Sequence, residues 1–311
     1  AVADSCGGFK AMPRMAVDVL RLFKGCENVI MMPANRGLRF FAPLFLTYNK
    51  FYRRRIHYIV IGGWLDTFLE SHKWLVGLLK KFDAIYVESE TMKAALCERG
   101  FDNAVVMHNF KKLNSLSENE LEYPDDEPYK LCTFSRVMKE KGIEDAIDAV
   151  KTVNSRLGRT VCTLDIFGQV DKDYEERFSE LKKTFPDFIR CGGAIDADRS
   201  TETLKSYFAL LFPTYYRGEG FAGTLIDAMS AGVPVIASDW KYNSEFVVPG
   251  RTGVIIENCN SEKLAKVLAD IADDPEKWNS MRLSALREAE KYSPEKASRP
   301  LIDRINGRDC L

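Results

Sequence analysis

The sequence lacks any long apolar run. Its most apolar stretches, such as IHYIVIGGWL and YFALLFPTYY, fall well short of the roughly 18 residues that a membrane-spanning helix needs. We therefore expect no segment to span a bilayer. With 311 residues, 46% hydrophobic and 29% charged, the composition is typical of a globular protein with room for two domains.

The sequence also lacks paired cysteines. Its eight cysteines are scattered, none belongs to a Cys-x-x-Cys pair, and several lie in apolar runs such as KLCTFS and TVCTLDIFG. This pattern favours buried thiols in a reducing compartment over a disulfide framework. No secretory signal is present, although the chain begins with Ala1 rather than Met. The expected location is the cytoplasm, with the inner face of the membrane as an option.

The chain has almost no net charge, but its two halves differ. Residues 1–112 contain 17 Lys and Arg against 10 Asp and Glu, a charge of +7, so the remaining residues carry −8 to reach the total of −1. A basic first half and an acidic second half suggest different partners.

The chain contains no short repeat or low-complexity tract. Residues 1–112 alternate strand-like runs (NVIMMP, IHYIVIGG, DAIYVES, AVVM) with helix-like segments, which predicts a parallel sheet covered by helices. Residues 113–130 are polar and acidic and contain proline, so we place an interdomain linker there.

Strand–helix alternation restarts after the linker. The clearest helix follows KLCTFS, where apolar residues recur at a 3.6 period before Gly158. That apolar face comprises Ile143, Ala146, Ile147, Val150, Val153 and Leu157. The chain thus predicts two doubly wound α/β domains, whose ligands should lie beyond the carboxyl ends of the strands, in the cleft between the domains.

A glycine-rich turn connects the strand YFALLFPTYY to the helix TLIDAMSA. Gly218, Gly220 and Gly223 would let the main chain adopt positive φ and approach a ligand closely. The start of the next helix would then face outward and attract an anion such as a phosphate. A tight structural turn is the alternative.

Two acids accompany this turn. Glu219 lies within it, where burial is costly unless a hydroxyl or amide partner binds. Asp227 lies about one turn into the helix, where its alternative role is to stabilise the helix dipole. Acids beside an anion-binding turn suit a ligand that is part phosphate and part polyol, such as a nucleotide-sugar.

Two cations follow the first strand of the second domain. Arg136 and Lys141 lie in RVMKEKG, just before a helix, and could hold a pyrophosphate. The alternative is a solvated Lys/Glu run. The interpretation as a pyrophosphate site depends on Glu219, which follows another strand of the same predicted sheet.

These segments resemble those of a known family. FSRVMKEKG is similar to the strand–Arg–x4–Lys–Gly segment, and EGFAGTLIDAMSAGVPVIASD to the Glu-x7-Glu segment, of retaining GT-B glycosyltransferases grouped as family 4. The likeness covers the second domain well and the first more loosely. Asp227 stands where the family usually has Glu, which shortens the reach of that acid by one methylene.

The resemblance implies roles for individual residues. Arg136 and Lys141 would bind the donor diphosphate and stabilise the leaving nucleotide, while Glu219 would contact the donor sugar and Asp227 the ribose. Arg136, Lys141 and Glu219 are the implied catalytic residues. The implied donor-binding residues are Gly220, Phe221, Ala222, Gly223, Thr224 and Asp227, with Phe221 to Thr224 contacting the phosphate and the sugar through their main chain.

The implied reaction moves a hexose from a nucleoside diphosphate to an acceptor hydroxyl and keeps the anomeric configuration. Its transition state places growing charge on the leaving phosphate, so fixed cations are the chief requirement. The resemblance implies no metal and no cofactor. DKD (171–173) and DAD (196–198) match an Asp-x-Asp metal pattern, but both lie in polar segments after strands, and we do not assign them as ligands.

The first domain should bind the acceptor, a sugar or a lipid-linked sugar. Residues 36–55 interleave six cations with Phe and Tyr on a predicted amphipathic helix. This segment suits contact with an anionic membrane or a lipid pyrophosphate. The alternative is a solvated helix over a core face. We expect no nucleic-acid partner, since half of the chain is acidic and no nucleic-acid motif is present.

The first domain departs from the family in two respects. The chain begins at what would be the second strand of the family's first domain, so the first strand and its glycine-rich loop look absent. The strand IHYIVI leads to Gly63 and Trp64, where family members often carry a donor-contacting His. We expect His57 to be structural, and His108 and Asn109 to be candidate cleft residues.

We predict a GT-B glycosyltransferase in polysaccharide or glycolipid synthesis. Residues 1–112 form the acceptor domain, 131–293 the donor domain, and the final helix at 294–311 returns to the first domain. The alternatives are a sugar-nucleotide epimerase or a phosphorylase on the same fold, and a nucleotide-sugar-binding protein without catalysis.

Overall fold

The fold consists of two compact α/β units in a computed structural model that describes residues 12–112 and 114–308. Unit 1 contains the chain up to His108 and from Ser298 onward, and unit 2 contains Asn109–Ala297. The expectation about a missing first strand concerns residues 1–11 and lies outside the described part. Among the described helices, none is long and apolar enough to cross a membrane.

Unit 1 contains a four-stranded parallel sheet in the order β1-β2-β3-β4. Its strands are β1 (Asn28–Met31), β2 (Arg55–Ile59), β3 (Ala84–Val87) and β4 (Ala104–Val106). The helices before and between them are α1 (Met12–Gly25), α2 (Asn35–Tyr52), α3 (Leu65–Ser71), α4 (Trp74–Leu79) and α5 (Glu90–Glu98). The central strand β3 is buried at every position, as a parallel strand covered on both faces should be.

Unit 2 contains a six-stranded parallel sheet in the order β10-β9-β8-β5-β6-β7. Its strands are β5 (Tyr129–Phe134), β6 (Cys162–Phe167), β7 (Ile189–Gly193), β8 (Ala209–Phe212), β9 (Val235–Ser238) and β10 (Gly253–Ile256). Its helices are α6 (Ile143–Leu157), α7 (Glu175–Lys182), α8 (Ser200–Leu204), α9 (Gly223–Ser230), α10 (Asn243–Phe246), α11 (Ser261–Asp273), α12 (Pro275–Asn279), α13 (Met281–Ala289) and α14 (Pro294–Ala297). The order reverses between β5 and β8, which makes this a doubly wound sheet.

The helix α6 shows how well the apolar period predicts packing. Five of the six residues predicted on its apolar face are buried in the core of unit 2. Leu157 is the exception, with 37% of its surface exposed, because it lies in the last turn just before Gly158, whose φ of 65° ends the helix.

The segment predicted as a linker packs against unit 2. The Leu116 amide donates to the Ser230 carbonyl at 3.0 Å. The Leu121 side chain fills the space beside Gly232, where a Cβ would lie 2.2 Å from Leu121 Cδ2. The contacts that define the two units place the predicted linker, residues 113–130, within unit 2.

The last helix, α15 (Arg299–Ile305), belongs to unit 1. The Arg55 guanidinium donates to the carbonyls of Arg304 and Ile305 at 3.2 and 3.0 Å, and so caps the carboxyl end of α15. His57 lies on β2 next to this contact and is completely buried between Tyr86 Oη and Asn28 Oδ1. It has the structural position that its place in the strand predicts.

Candidate functional site

A cavity of about 590 Å3 opens at the switch point of the unit 2 sheet, where β5 and β8 are neighbours. In doubly wound sheets, ligands bind at such a point because the crossovers on either side diverge and leave a crevice. The loops after β5, β6, β7 and β8 and the start of α9 all contribute to its lining. The polar and charged residues that line it include Lys111, Ser135, Arg136, Lys141, Gln169, Glu219, Thr224 and Asp227.

Glu219 lies in the loop after β8 and is only 6% exposed. Its Oε2 accepts from Thr214 Oγ1 at 2.8 Å and from Lys141 Nζ at 2.6 Å. The loop is held from β9 and the residues after it, since Ser238 Oγ donates to the Thr214 carbonyl and Trp240 Nε1 to the Tyr216 carbonyl at 2.8 Å. A buried carboxylate is tolerated here because a cation and a hydroxyl both bind it.

Lys141 is the cationic partner of Glu219 and ends a short 3-10 helix, Lys139–Lys141. Its Nζ also lies 5.6 Å from the ring centre of Phe212 and 5.2 Å from that of Tyr216. Gly142 follows with a φ of 72°, and a Cβ there would come within 2.2 Å of the Pro213 carbonyl oxygen. The loops after β5 and β8 are thus in direct contact, which brings the predicted cation and the predicted acid together.

Arg136 lies at the other side of the β5 loop and points a largely solvated guanidinium into the cavity region, with 61% of its side chain exposed. Its Nη1 is 3.6 Å from Asp171 Oδ2, in the segment after β6. Gly168 holds these loops close, because its φ is 137° and a Cβ there would lie 1.7 Å from the Ser135 carbonyl oxygen. Arg136 is therefore a cation held at one end and available for an anion.

The amino end of α9 also faces the cavity. Ala222, Gly223 and Thr224 line it, and Ala222 at the N-cap supplies no side-chain hydrogen bond to the first turn. Thr224 Oγ1 donates to the Phe134 carbonyl at the end of β5, which fixes this helix start against the central strand. First-turn amide groups with no intrahelical acceptor favour an anion at this position.

Asp227 lies one turn further along α9 and is 5% exposed. Its Oδ1 accepts from Ser200 Oγ at 2.6 Å and forms an ion pair with Lys111 Nζ. The cavity thus has an acid at each of two places, Glu219 and Asp227, with cations and a helix start also in its lining.

The protein-family comparison matches residues 118–287, more than half of the chain, to the family "Glycosyl transferases group 1". The chain belongs to this family. The matched region contains the whole cavity lining except Lys111.

Similar proteins include other glycosyltransferases. The chain is 28% identical over 169 residues to a poly(glycerol-phosphate) alpha-glucosyltransferase of Bacillus subtilis, which covers 54% of this chain and 24% of that protein. It is 27% identical over 201 residues to the GtfA subunit of a UDP-N-acetylglucosamine–peptide N-acetylglucosaminyltransferase of Streptococcus parasanguinis, covering 62% of this chain and 38% of that subunit. The chain spans between 24% and 51% of the length of the first four curated relatives.

Solved structures establish the fold class. The Anabaena protein HepE, solved with UDP, superposes with a TM-score of 0.77 at 16% identity, covering 94% of this chain and 82% of that one. TarM superposes with a TM-score of 0.73 at 20% identity, covering 94% and 58%. The two parallel sheets of this group 1 glycosyltransferase therefore have the GT-B fold.

Seven of the nine predicted donor-side residues line the cavity, and two do not. Gly220 and Phe221 are absent from the lining. The Phe221 ring is buried in the core and stacks on Phe246 at 3.7 Å between ring centres, so the donor contact predicted for this residue concerns its main chain. The Phe221 carbonyl accepts from Asn109 Nδ2 at 3.0 Å.

The positive φ angles predicted for the glycines of the turn are wrong. None of Gly218, Gly220 and Gly223 has a positive φ among the described residues. Gly218 is needed for another reason, since a Cβ there would lie 2.8 Å from the Tyr216 ring. The glycines that bring loops together at the site are Gly142 and Gly168, which sequence reasoning missed.

The predicted first-domain residues occupy separate units. Gly63, Trp64 and His108 lie in unit 1, and Asn109 is the first residue of unit 2. Trp64 Nε1 donates to the Ile61 carbonyl at 2.8 Å, and His108 Nδ1 donates to the Glu88 carbonyl at 2.8 Å. Their roles toward a ligand stay predictions.

Sequence reasoning also missed Lys111, Ser200 and Thr214. Thr214 lies two residues beyond β8, at the edge of the sheet where polar side chains meet. Its position in the sequence could therefore have predicted a place in the site. No feature of the sequence predicts a place in the site for Lys111, since it lies in a loop far from Asp227 along the chain.

No group of three or more His, Cys, Asp or Glu side chains is arranged to hold a metal ion within residues 12–112 and 114–308. In the DKD segment, Asp171 is engaged by Arg136 and its Oδ1 accepts from the Asp173 amide at 3.2 Å. The basic segment 36–55 is only partly free, because Arg54 Nε donates to the Phe23 carbonyl at 2.9 Å and Arg55 caps α15.

Proposed function

We propose that this group 1 glycosyltransferase moves a sugar from a nucleoside diphosphate, with UDP the first nucleotide to test, to an acceptor hydroxyl. The observation that carries the proposal is the convergence of two acids, cations and a helix start in one cavity at the switch point of unit 2. HepE solved with UDP-glucose and a pneumococcal transferase solved with UDP and GlcNAc support a UDP-sugar. A GDP-mannose-dependent relative makes GDP the next nucleotide to test.

The cavity offers a group for each part of such a donor. Arg136, Lys141 and the start of α9 suit the diphosphate, because the bond from the sugar C1 to the phosphate oxygen breaks as negative charge grows on the leaving group. Glu219 suits the sugar, since its Oε1 accepts from none of the donors in the described residues while Oε2 is held by Lys141 and Thr214. A new bond then forms from C1 to the acceptor oxygen, and the proton of that hydroxyl passes to the departing diphosphate, which has taken the electron pair of the broken bond.

We propose further that transfer retains the anomeric configuration and uses neither a metal nor another cofactor. The match of Arg136, Lys141 and Glu219 to the motif of retaining family 4 enzymes supports retention. The engagement of Asp171 by Arg136 supports cation-based rather than metal-based stabilisation of the leaving group. Epimerase, phosphorylase and non-catalytic binding activities remain the outcomes to test against.

The test measures binding of UDP-, GDP- and ADP-sugars by calorimetry and donor hydrolysis by nucleotide release. We expect one nucleotide-sugar to bind, and Arg136→Ala to slow its hydrolysis by about 100-fold, the usual loss when one stabiliser of developing charge is removed. Arg190→Ala, on the exposed part of β7, is the matched control. Failure of all three donors to bind the wild type would overturn the proposal, and binding without hydrolysis or transfer would favour the binding-protein alternative.

We propose that the acceptor is presented at the cytoplasmic face of an anionic membrane, through α2. Arg36, Arg39 and Lys50 are exposed and lie on one side of this helix, because their separations of 3 and 14 residues are close to whole turns. Phe51 beside them is 80% exposed. Cations next to an exposed aromatic ring are the features by which surface helices bind anionic lipid.

Replacing Arg36, Arg39 and Lys50 together by alanine should abolish most binding to phosphatidylglycerol-containing vesicles. Each cation near such a surface contributes about 1 kcal/mol, so the partition coefficient should fall by about 100-fold. Vesicle co-sedimentation measures this, with pure phosphatidylcholine vesicles as the neutral comparison and Lys172→Ala/Lys183→Ala, two exposed unit 2 lysines, as the control protein. Equal sedimentation of the wild type with both vesicle types would refute membrane contact.

A further inference from the structure

Among the described residues that line the cavity, Lys111 alone lies outside the matched family region. It precedes that region in the chain and reaches Asp227 on α9, where its Nζ pairs with Oδ1. The Lys111 side chain is 31% exposed and that of Asp227 is 7% exposed. The lysine thus lies between a buried carboxylate and the open cavity.

The two carboxylate oxygens of Asp227 differ in their hydrogen-bond partners. Oδ1 accepts from Ser200 Oγ at 2.6 Å and from Lys111, whereas Oδ2 accepts from no donor within the described residues. The ammonium of Lys111 has three N–H donors, and Asp227 takes one of them. The pair therefore presents an acceptor oxygen and two further donors side by side.

Vicinal hydroxyl groups fit such a pair. Each hydroxyl both donates and accepts, so one can donate to Asp227 Oδ2 while its neighbour accepts from Lys111 Nζ. A carboxylate alone satisfies only the donating half of the diol. Asp227 is also one methylene shorter than glutamate, and Lys111 extends the polar surface of this acid toward the cavity.

We propose that Lys111 is a specificity-determining residue that, together with Asp227, binds the vicinal hydroxyls of the donor's ribose. This inference rests on the proposed function, because it concerns the same nucleotide. Lys111 donates to one ribose hydroxyl, and Ser200 keeps Asp227 oriented to accept from the other.

A purely electrostatic role makes a different prediction. If Lys111 only neutralised the charge of Asp227 near the diphosphate, its removal would weaken the binding of ribose- and deoxyribose-containing nucleotides equally. If it contacted phosphate, removal would change the preference for UDP over UMP. Only a ribose contact changes the preference for UDP over 2′-deoxy-UDP or over 3′-deoxy-UDP, according to which hydroxyl Lys111 binds.

The experiment measures Kd by calorimetry for UDP, 2′-deoxy-UDP, 3′-deoxy-UDP and UMP with the wild type, Lys111→Met and Lys112→Met. GDP and its analogues replace UDP where the wild type prefers GDP. Lys112 is the matched control, since it is the adjacent exposed lysine and does not line the cavity. We expect Lys111→Met to weaken UDP binding about tenfold, as for the loss of a charge-assisted hydrogen bond. The ratio of the Kd values for UDP and for the deoxy analogue that lacks the hydroxyl bound by Lys111 should then come close to one.

The double variant Lys111→Met/Asp227→Asn protects the test against misfolding, because it removes both charges of the buried pair. It should fold and should also have lost ribose selectivity. If neither the ratio for 2′-deoxy-UDP nor that for 3′-deoxy-UDP changes in Lys111→Met, the inference is overturned, while nucleotide binding by the wild type leaves the proposed function intact. No nucleotide binding by the wild type overturns both.

Discussion

Replacing Lys141 by methionine is expected to lower the free energy of unfolding by about 3 kcal/mol, since removal of one partner of a buried ion pair leaves the other uncompensated. Lys141 and Glu219 are both largely buried, with side chains 12% and 7% exposed and a separation of 2.6 Å. Without the ammonium, Glu219 keeps only the Thr214 hydroxyl at 2.8 Å as a described partner for its Oε2. Urea titration of wild type and variant measures the loss.

The double variant Lys141→Met/Glu219→Gln separates stability from catalysis. It removes both charges and keeps similar volumes, so most of the lost free energy of unfolding should return. Donor turnover should stay at least about 100-fold below wild type in both variants, because the cation for the leaving phosphate is absent from each. The control is Lys205→Met/Glu202→Gln, which removes an exposed pair at 2.8 Å. For this control we expect the free energy of unfolding to fall by under about 1 kcal/mol.

Recovery of turnover together with stability in the Lys141→Met/Glu219→Gln variant would contradict a direct role for this pair. That outcome would mean that Lys141 acts only by allowing Glu219 to be buried. Loss of turnover in a variant of restored stability would instead separate the chemical role of the ammonium from its structural one.

The sequence predicts the sheet strands and most of the charged site residues for the same physical reason. Parallel strands buried on both faces have continuous apolar runs, and the polar residues that follow them converge at one edge of the sheet. Arg136, Lys141 and Glu219 follow β5 and β8, so their place in the chain indicates their place in the cavity.

The parts that the sequence did not predict depend on contacts between segments far apart in the chain. Nothing around Lys111 indicates that it pairs with Asp227. The turn around Glu219 contains several glycines, but the positive φ angles at the site belong to Gly142 and Gly168, which are needed because carbonyl groups of other loops approach them. The stacking of the Phe221 ring on Phe246 in the core likewise depends on a contact between separate segments.

Gly168→Ala is expected to lower the free energy of unfolding by more than about 3 kcal/mol. Its φ of 137° belongs to a region used almost only by glycine, and a Cβ would lie 1.7 Å from the Ser135 carbonyl oxygen. Because main chain cannot overlap in this way, Ser135 and Arg136 must move away from the β6 loop.

This displacement should also reach the nucleotide, since Ser135, Arg136 and Gly168 all line the cavity. We expect UDP affinity of the folded variant to fall at least about tenfold, the size of one lost charge-assisted contact. Gly158→Ala is the matched control, because Gly158 also has a positive φ, 65°, but nothing lies within 4 Å of its Cβ position. Gly158→Ala should lower the free energy of unfolding by about 1–2 kcal/mol and leave UDP affinity unchanged. The reason is that it introduces backbone strain without an overlap between the new Cβ and another loop. Equal losses in the two variants would show that backbone strain, and not the approach of Ser135 to Gly168, sets the position of Arg136.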